Sequence, residues 1–334
     1  MKVFVSIPKG SIAEKFFFPP AIQTWLESLF EVEWLQSDHY LQRDEFALAV
    51  KDADVILTGW GHPGITCEML RGSAVKLIAH TGGSVGNLID PRLYATGVKV
   101  ISGNPLFAES VAEGTLAYIL TGLRRIPEQV SVVKSGGWHD RSPSTVGLLD
   151  QVVGIVGMGA ISQRLIEMLQ VFRVKVKIYS SHRIDPAFLK NHHAEQVSLD
   201  EIFSSCKIVS VHAALTEKTI GLIGKAQFDL LQDGALFVNT ARGKIVCEDE
   251  MTEALRENRF YAVLDVFQEE PLTANHPLLA LSNVYCFPHI AGPTQDRYSH
   301  ITKQVIDNIL EFEKGNEMSL LVSSETAARM TVNI

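Results

Sequence analysis

The sequence predicts an α/β protein built of two Rossmann-like, doubly wound parallel-sheet domains. Three observations lead there. Short β-branched runs alternate with helical stretches from one end to the other, with no internal repeat or low-complexity tract between them. Those runs are unbroken apolar segments, the pattern of parallel strands covered on both faces. The chain has 334 residues, more than one hydrophobic core usually serves.

Taken in order, Val3 to Ile7, Val55 to Thr58, Leu77 to His80 and Val98 to Ser102 form a first strand set, with helices such as Ala21 to Leu29 between them. A long apolar helix, Ala108 to Leu123, follows, and Val132 to Thr145, polar and rich in Gly and Ser, reads as an arm. The second set comprises Gln151 to Val156, Val174 to Tyr179, Ile208 to Val211, Ala235 to Asn239, Ala262 to Asp265 and Val284 to Phe287 at βαβ spacing. An amphipathic helix, Thr294 to Lys314, and a small apolar strand, Ser319 to Val322, would bring the C-terminus back to the first domain. The boundary falls near Asn104 and Pro105, giving one domain of residues 1–104 plus 294–334 and another of 105–293.

Lys plus Arg number 30 against 38 Asp plus Glu, a net charge of −8 without a basic run, which argues against a nucleic-acid partner. No segment approaches the roughly 18 apolar residues of a spanning helix, and the first ten residues lack a signal core, so no membrane association and a cytoplasmic location are expected. Cys67, Cys206, Cys247 and Cys286 stand far apart and read as reduced core thiols, not as a disulfide framework or zinc knuckle.

The segment Gln151-Val-Val-Gly-Ile-Val-Gly-Met-Gly-Ala-Ile-Ser162 places Gly157 and Gly159 where a strand feeds a helix that opens with Ala160 and Ile161. Glycine there lets the backbone approach a pyrophosphate, whose charge meets the helix N-terminus, so this turn is assigned to a dinucleotide. Ser162 replaces the third glycine of the fingerprint and is small enough to keep helix and strand close. The next strand ends in Tyr179-Ser-Ser-His-Arg183, where an NAD site would place a carboxylate on the ribose diol. Ser180 and Ser181 can donate to a 2′-phosphate and Arg183 can pair with it, so NADP is favoured, with NAD the alternative through Asp185.

Three segments then follow at the carboxyl ends of consecutive strands: Asn239-Thr-Ala-Arg-Gly243, Asp265-Val-Phe-Gln-Glu-Glu-Pro-Leu272 and Pro288-His-Ile-Ala-Gly292. With these residues the chain resembles the D-isomer-specific 2-hydroxyacid dehydrogenase family, most strongly from Gly147 to Arg297. The resemblance implies a catalytic set of Arg242, Glu270 and His289. The chemistry agrees: a planar Arg fork can clamp a 2-keto acid, and a His can donate the proton that the new hydroxyl needs. Glu270 would hold the imidazole and favour its charged form; Glu269 is the alternative acid. The resemblance also implies Asp265, Thr240 and Ala241 along the nicotinamide, with His212, Thr216 and Gly292 completing the cofactor set. Asp265 could instead be a helix cap.

In the first domain, His80-Thr-Gly-Gly-Ser-Val-Gly-Asn87 resembles the family loop whose backbone N–H groups receive the substrate carboxylate, although it carries one extra residue and Gly86 where an Asp is common. Gly82, Gly83 and Ser84 are the substrate-binding residues expected from it. Trp60, after a strand end, either walls the substrate pocket or is an ordinary half-buried aromatic. Ser110-Val-Ala-Glu113 opens the crossing helix and suits packing and dimerisation. His192 and His193, neighbours in a polar helical stretch, face different directions and offer no metal site.

The resemblance therefore implies a flavodoxin-like substrate-binding domain (1–104 plus 294–334), a Rossmann domain with a dimerisation arm (105–293), and a cleft between them as the active site. The expected enzyme is an NAD(P)-dependent homodimer reducing glyoxylate, hydroxypyruvate or a similar 2-keto acid. Phosphoglycerate dehydrogenase-type activity and an NAD(H)-sensing regulatory protein on the same scaffold are the alternatives.

Overall fold

The computed structural model describes residues 1–138 and 145–332. It divides into two compact units, Met1–Ala108 with Pro293–Asn333, and Glu109–Gly292. The division at Ala108 lies inside one continuous helix, Asn104–Arg124, because no Gly or Pro interrupts that helix after its first turn until Gly114.

The first unit holds five parallel strands, β1 (Lys2–Ser6), β2 (Glu31–Trp34), β3 (Val55–Thr58), β4 (Leu77–His80) and β5 (Lys99–Ser102), in the order β2-β1-β3-β4-β5. This is the flavodoxin-like winding, which reverses direction between β1 and β3. Alternate residues go to opposite faces: Val3, Val5 and Leu57 enter one apolar core, Phe4 and Ile56 the other. Both faces are covered, which is why the central strands read as continuous apolar runs. Register aligns Ser6, Thr58, His80 and Ser102 across the carboxyl edge, so four buried polar residues end an otherwise apolar sheet.

The second unit holds seven parallel strands, β6 (Val152–Val156), β7 (Lys175–Tyr179), β8 (Ala194–Gln196), β9 (Ile208–Val211), β10 (Leu236–Asn239), β11 (Tyr261–Leu264) and β12 (Val284–Cys286), ordered β12-β11-β10-β9-β6-β7-β8. The winding reverses between β6 and β9, as in dinucleotide-binding sheets. Val156, Val211, Asn239 and Leu264 lie in register, so the turns after four strands begin at one level.

Three sequence expectations change. Ser319 to Val322 is not a strand: among the described residues Leu321 forms an isolated antiparallel bridge to Ile101, flanked by the Ser102 N–H to the Leu320 carbonyl and the Val322 N–H to the Val100 carbonyl. The beginning of the expected arm is helical, Ile126–Lys134, with Pro at its second position favouring helix initiation; positions 139–144 of that arm lie outside the described residues. His193 follows the helix Pro186–Asn191 at φ 49°, past its end and not within it. Among the described residues no helix is long and apolar enough to cross a membrane, and no cluster of three His, Cys, Asp or Glu side chains could hold a metal.

Candidate active site

The turn after β10 is built by Asn239. Its Oδ1 accepts the Ala241 N–H at 3.0 Å and its Nδ2 donates to the Arg242 carbonyl at 3.2 Å, folding the chain back so that Arg242 leaves the carboxyl edge extended. Gly243 follows because a Cβ there would collide with the Phe267 backbone; the Arg turn and the turn after β11 thus pack backbone to backbone. Arg242 Nη1 donates to the Ala241 carbonyl at 2.6 Å, leaving most of its five donors for other partners. Burial lowers the guanidinium pKa, and the Glu270 carboxylate opposes that shift.

Glu270 Oε1 accepts the Phe267 N–H at 3.0 Å, and Oε2 lies 2.6 Å from His289 Nδ1. Glu270 is therefore fixed at one oxygen and pairs with the imidazole through the other. Gln268, between Phe267 and Glu270 in the chain, is held by Glu248 Oε2 at its N–H (3.0 Å) and by its own donation to the Val246 carbonyl (2.8 Å).

His289 adopts φ 55°, a left-handed conformation uncommon for a side-chain-bearing residue. The cause is Asp265. Its Oδ1 accepts the Ile290 N–H (2.9 Å) and the Tyr118 hydroxyl (2.8 Å), and its Oδ2 accepts the Ala291 N–H (2.8 Å), so the two residues after His289 are pulled onto one buried carboxylate. Asp265 is no helix cap. The imidazole itself remains 47% exposed, open to a reactant.

Helix Asn104–Arg124 lies against this sheet, since a Cβ at Gly114 would stand 2.5 Å from the Ala291 carbonyl and one at Gly122 would meet Leu236 and Val263. The helix supplies Tyr118 and also Thr115, whose hydroxyl is 2.9 Å from that of buried Thr240. Burial, followed by the bond to Asp265, raises the Tyr118 pKa well above its ordinary value, so the phenol stays a donor.

Gly157 and Gly159 flank the point where the second sheet reverses its winding. Gly157 has φ 102°, and a Cβ on it would lie 2.6 Å from Ala213 backbone atoms. Its carbonyl accepts the Ser162 hydroxyl at 2.8 Å, which ties the helix Ala160–Leu169 to the turn. Gly159 caps that helix without a side-chain bond, and nothing lies within 4 Å of where its Cβ would be. An open helix N-terminus beside a glycine turn fits a pyrophosphate. Ala160 and Ile161 form the first helical turn. Across the reversal point, His212 is buried with Nε2 2.8 Å from Ser210 Oγ and with Nδ1 unpartnered among the described residues; burial pushes its pKa down to about 3, so it is a neutral ring facing this region. The residues present fit a dinucleotide. Thr216 is engaged in its own turn, its N–H donating to Thr219 Oγ1 at 2.8 Å, and Gly292 is half-buried with open space where a Cβ would be.

After β7, Ser180 is half-buried while Ser181 and Arg183 are exposed. The loop is pinned from β8: Gln196 Nε2 donates to the Ser180 (3.1 Å) and His182 (2.8 Å) carbonyls, and its Oε1 accepts the Ile184 N–H (3.0 Å). Asp185, the residue expected to serve an NAD ribose, instead caps the helix Pro186–Asn191 by accepting the Ala187 N–H at 2.9 Å.

In the first unit, Thr58 Oγ1 lies 3.0 Å from His80 Nδ1, and Ser102 Oγ donates to the carbonyls of Gly82 (3.2 Å) and Gly83 (2.5 Å). With their carbonyls tied down, the N–H groups of Gly82, Gly83 and Ser84 have no acceptor among the described residues. The Ser84 hydroxyl is already committed to the Thr331 carbonyl at 2.7 Å, so only its backbone is available.

Residues 116–291 match the family model described as D-isomer specific 2-hydroxyacid dehydrogenase, NAD binding domain. The chain belongs to this family. It is 31% identical over 317 residues to the glyoxylate reductase of Aeropyrum pernix, covering 92% of this chain and 94% of that protein. It is 31% identical over 293 residues to the human glyoxylate reductase/hydroxypyruvate reductase, covering 86% and 89%. A phosphoglycerate oxidoreductase from Rhizobium etli shares the fold at TM-score 0.81 and 22% identity, covering 96% of this chain and 98% of that one. As a family member, the chain is an oxidoreductase acting on the CH–OH group of a 2-hydroxy acid with a nicotinamide dinucleotide.

Proposed function

We propose that Arg242, Glu270 and His289 are the catalytic set of this dehydrogenase and that its working direction is reduction of a 2-keto acid, with glyoxylate and hydroxypyruvate, the compounds named by its relatives, as first candidates. The observation that carries this is the 2.6 Å pairing of His289 Nδ1 with Glu270 Oε2 on a loop fixed by Asp265. The nicotinamide dinucleotide, when bound, supplies the hydride. Glu270 accepts the Nδ1–H, so the imidazolium hands its Nε2 proton to the forming hydroxyl and is left as the neutral ring protonated on Nδ1. Arg242, with one donor engaged by Ala241, has its remaining N–H groups for the substrate carboxylate and the polarised carbonyl. Within the first unit, the N–H groups of Gly82, Gly83 and Ser84 are the proposed carboxylate-binding groups. In the oxidative direction neutral His289 accepts the proton instead.

Gly157, Gly159, Ala160 and Ile161 would hold the pyrophosphate, and Thr240, Ala241, His212, Thr216 and Gly292 the remainder of the cofactor. NADP is the proposed cofactor: Ser180, Ser181 and Arg183 can meet a 2′-phosphate, and Asp185 is occupied as a cap. A C₂ homodimer belongs to the same proposal, supported by helix Ile126–Lys134, none of whose residues is buried although Ile126, Val130 and Val133 are apolar. A cytoplasmic location is consistent with four unpaired thiols. Absorbance at the reduced-nicotinamide band, with NADPH or NADH and a panel of 2-keto acids, tests the proposal. Consumption of NADPH with at least one acid is expected; consumption of neither cofactor with any acid overturns it.

A further inference from the structure

We propose that the aromatic cluster around Trp60 receives the substrate's side chain, and that the preferred 2-keto acid carries an aromatic or branched apolar substituent. The proposal rests on the dehydrogenase function above and departs from it in the substrate, putting an aromatic or branched 2-keto acid ahead of glyoxylate and hydroxypyruvate. In the first sheet the winding reverses between β1 and β3, and open α/β sheets bind ligands outside the carboxyl ends of the strands at such a point. The chain leaves β3 there as Gly59-Trp60-Gly61. Gly59 is tight: a Cβ on it would stand 3.1 Å from the Ile7 Cδ1 and 3.4 Å from the Ala13 Cβ, and Gly61 turns at φ 81°. The backbone is thereby drawn in and the Trp60 side chain put at the rim.

Three rings hold that indole edge-on: Phe17 at 4.9 Å and 86°, Tyr298 at 5.4 Å and 87°, and Phe107 at 5.8 Å and 69° between centroids and planes. Tyr40 fixes the backbone by donating its hydroxyl to the Trp60 carbonyl at 2.5 Å. Yet Trp60 is 36% exposed, and on the same flank Phe16, stacked on Tyr298, and Ile12 are exposed as well. A large apolar surface already ordered by its neighbours loses no further rotamer freedom when a ligand covers it, and contiguous exposed apolar surface of this kind marks a binding site.

What ties the patch to a 2-keto acid is its junction with the loop after β4. Phe107 Cγ lies 3.6 Å from where a Cβ on Gly83 would stand, so the aromatic wall begins beside the unpartnered N–H groups of Gly82, Gly83 and Ser84. In a 2-keto acid the carboxylate and the substituent leave the same carbonyl carbon. One small molecule can therefore place its carboxylate on those N–H groups and its substituent against Trp60 and Phe107. A hydrogen or hydroxymethyl group would leave the wall wet, whereas a benzyl or isobutyl group removes it from water.

The test is kcat/KM for reduction of phenylpyruvate, 4-methyl-2-oxopentanoate, hydroxypyruvate and glyoxylate by the full-length protein, and again for Trp60→Ala and Trp60→Phe. Phenylpyruvate is expected to exceed glyoxylate by about 30-fold, the size of discrimination a hydrophobic pocket gives. Trp60→Ala should collapse that ratio toward 1, mainly through the phenylpyruvate KM, and Trp60→Phe should restore most of it. Glyoxylate or hydroxypyruvate as the better substrate, or a ratio unmoved in both variants, overturns the proposal. Should Trp60→Ala not fold, the Trp60→Phe ratio against a Phe107→Leu ratio decides: neither falling below the wild-type value overturns it. Turnover of none of the acids removes the dehydrogenase function and this inference with it, whereas turnover of glyoxylate and hydroxypyruvate with phenylpyruvate inert removes this inference alone.

Discussion

Replacing Asp265 by Asn keeps the shape of the side chain and changes what it can hold. The carboxylate accepts three hydrogen bonds, from Tyr118, Ile290 and Ala291, at 2.8 to 2.9 Å. An amide oxygen in the Oδ1 position can keep Tyr118 and Ile290, without the charge. The amide nitrogen then faces the Ala291 N–H, donor against donor, in a site where Asp265 is 1% exposed. Losing one charge-assisted bond and leaving a buried donor unsatisfied costs about 3 kcal/mol. The left-handed conformation of His289 stores about 1–3 kcal/mol that this anchorage offsets, so the loop should relax and carry the imidazole with it. A displacement of about 1 Å at a reacting group lowers rate on the order of 100-fold. The expectation for Asp265→Asn is therefore a kcat lower by about 100-fold and a Tm lower by about 6–12 °C, with the cofactor KM changed by less than about 3-fold. Steady-state reduction kinetics and thermal melts of the two proteins measure all three. A native kcat and Tm with an effect confined to the cofactor KM would refute the anchoring role and return Asp265 to direct cofactor contact.

Other outcomes follow from the same geometry. Arg242→Lys keeps the charge but not the planar fork, so kcat/KM for reduction should fall by about 30-fold, roughly 2 kcal/mol; retention of most activity would make Arg242 structural. Ser180→Asp should turn cofactor preference from NADP toward NAD by repelling a 2′-phosphate, measured as the ratio of kcat/KM for NADPH and NADH, and an unmutated protein that already prefers NADH contradicts the proposal. Burial holds His80 and His212 down at about 3 and His62 at about 4, so the folded protein refuses protons that the unfolded chain takes up below pH 6.5. Their contribution is therefore intact above pH 6.5 and lost as pH falls toward 4, at a slope approaching about 1.4 kcal/mol per pH unit for each. Urea midpoints should drop between pH 7 and pH 5, and a flat profile would show that these imidazoles take up protons in the folded protein as readily as in the unfolded chain.

The parts of the fold that were legible in the sequence are those with one physical cause. Strands β1, β3 and β4 announce themselves because both faces are covered. β2 does not, since Glu31-Val-Glu-Trp34 lies at a sheet edge with alternating exposure, and β8 is a three-residue polar edge. Helix Ile12–Phe17 is short and begins at a Ser11 cap too brief to carry a periodic signal. At the site, Arg242, Glu270 and His289 stood out through the segments around them. Asn239, Tyr118, Thr115 and Gln196 did not, because their roles arise only in three dimensions: Tyr118 is 147 residues from the carboxylate it serves. Asn239 could have been found as an Asx turn, a side chain bonding the N–H two residues on. Asp265 is visible in the sequence through its place in a motif, whereas its bonds to the His289 loop depend on where β11 and β12 end side by side.

The most direct test of the account is the reductive kcat/KM of His289→Ala against the wild-type protein, with cofactor affinity measured in parallel by fluorescence. The expected result is a loss of about 100-fold or more in rate with cofactor affinity within about 3-fold of wild type, because the proton donor is removed while the glycine turn at Gly157 is untouched. A variant that reduces 2-keto acids at the wild-type rate would contradict it.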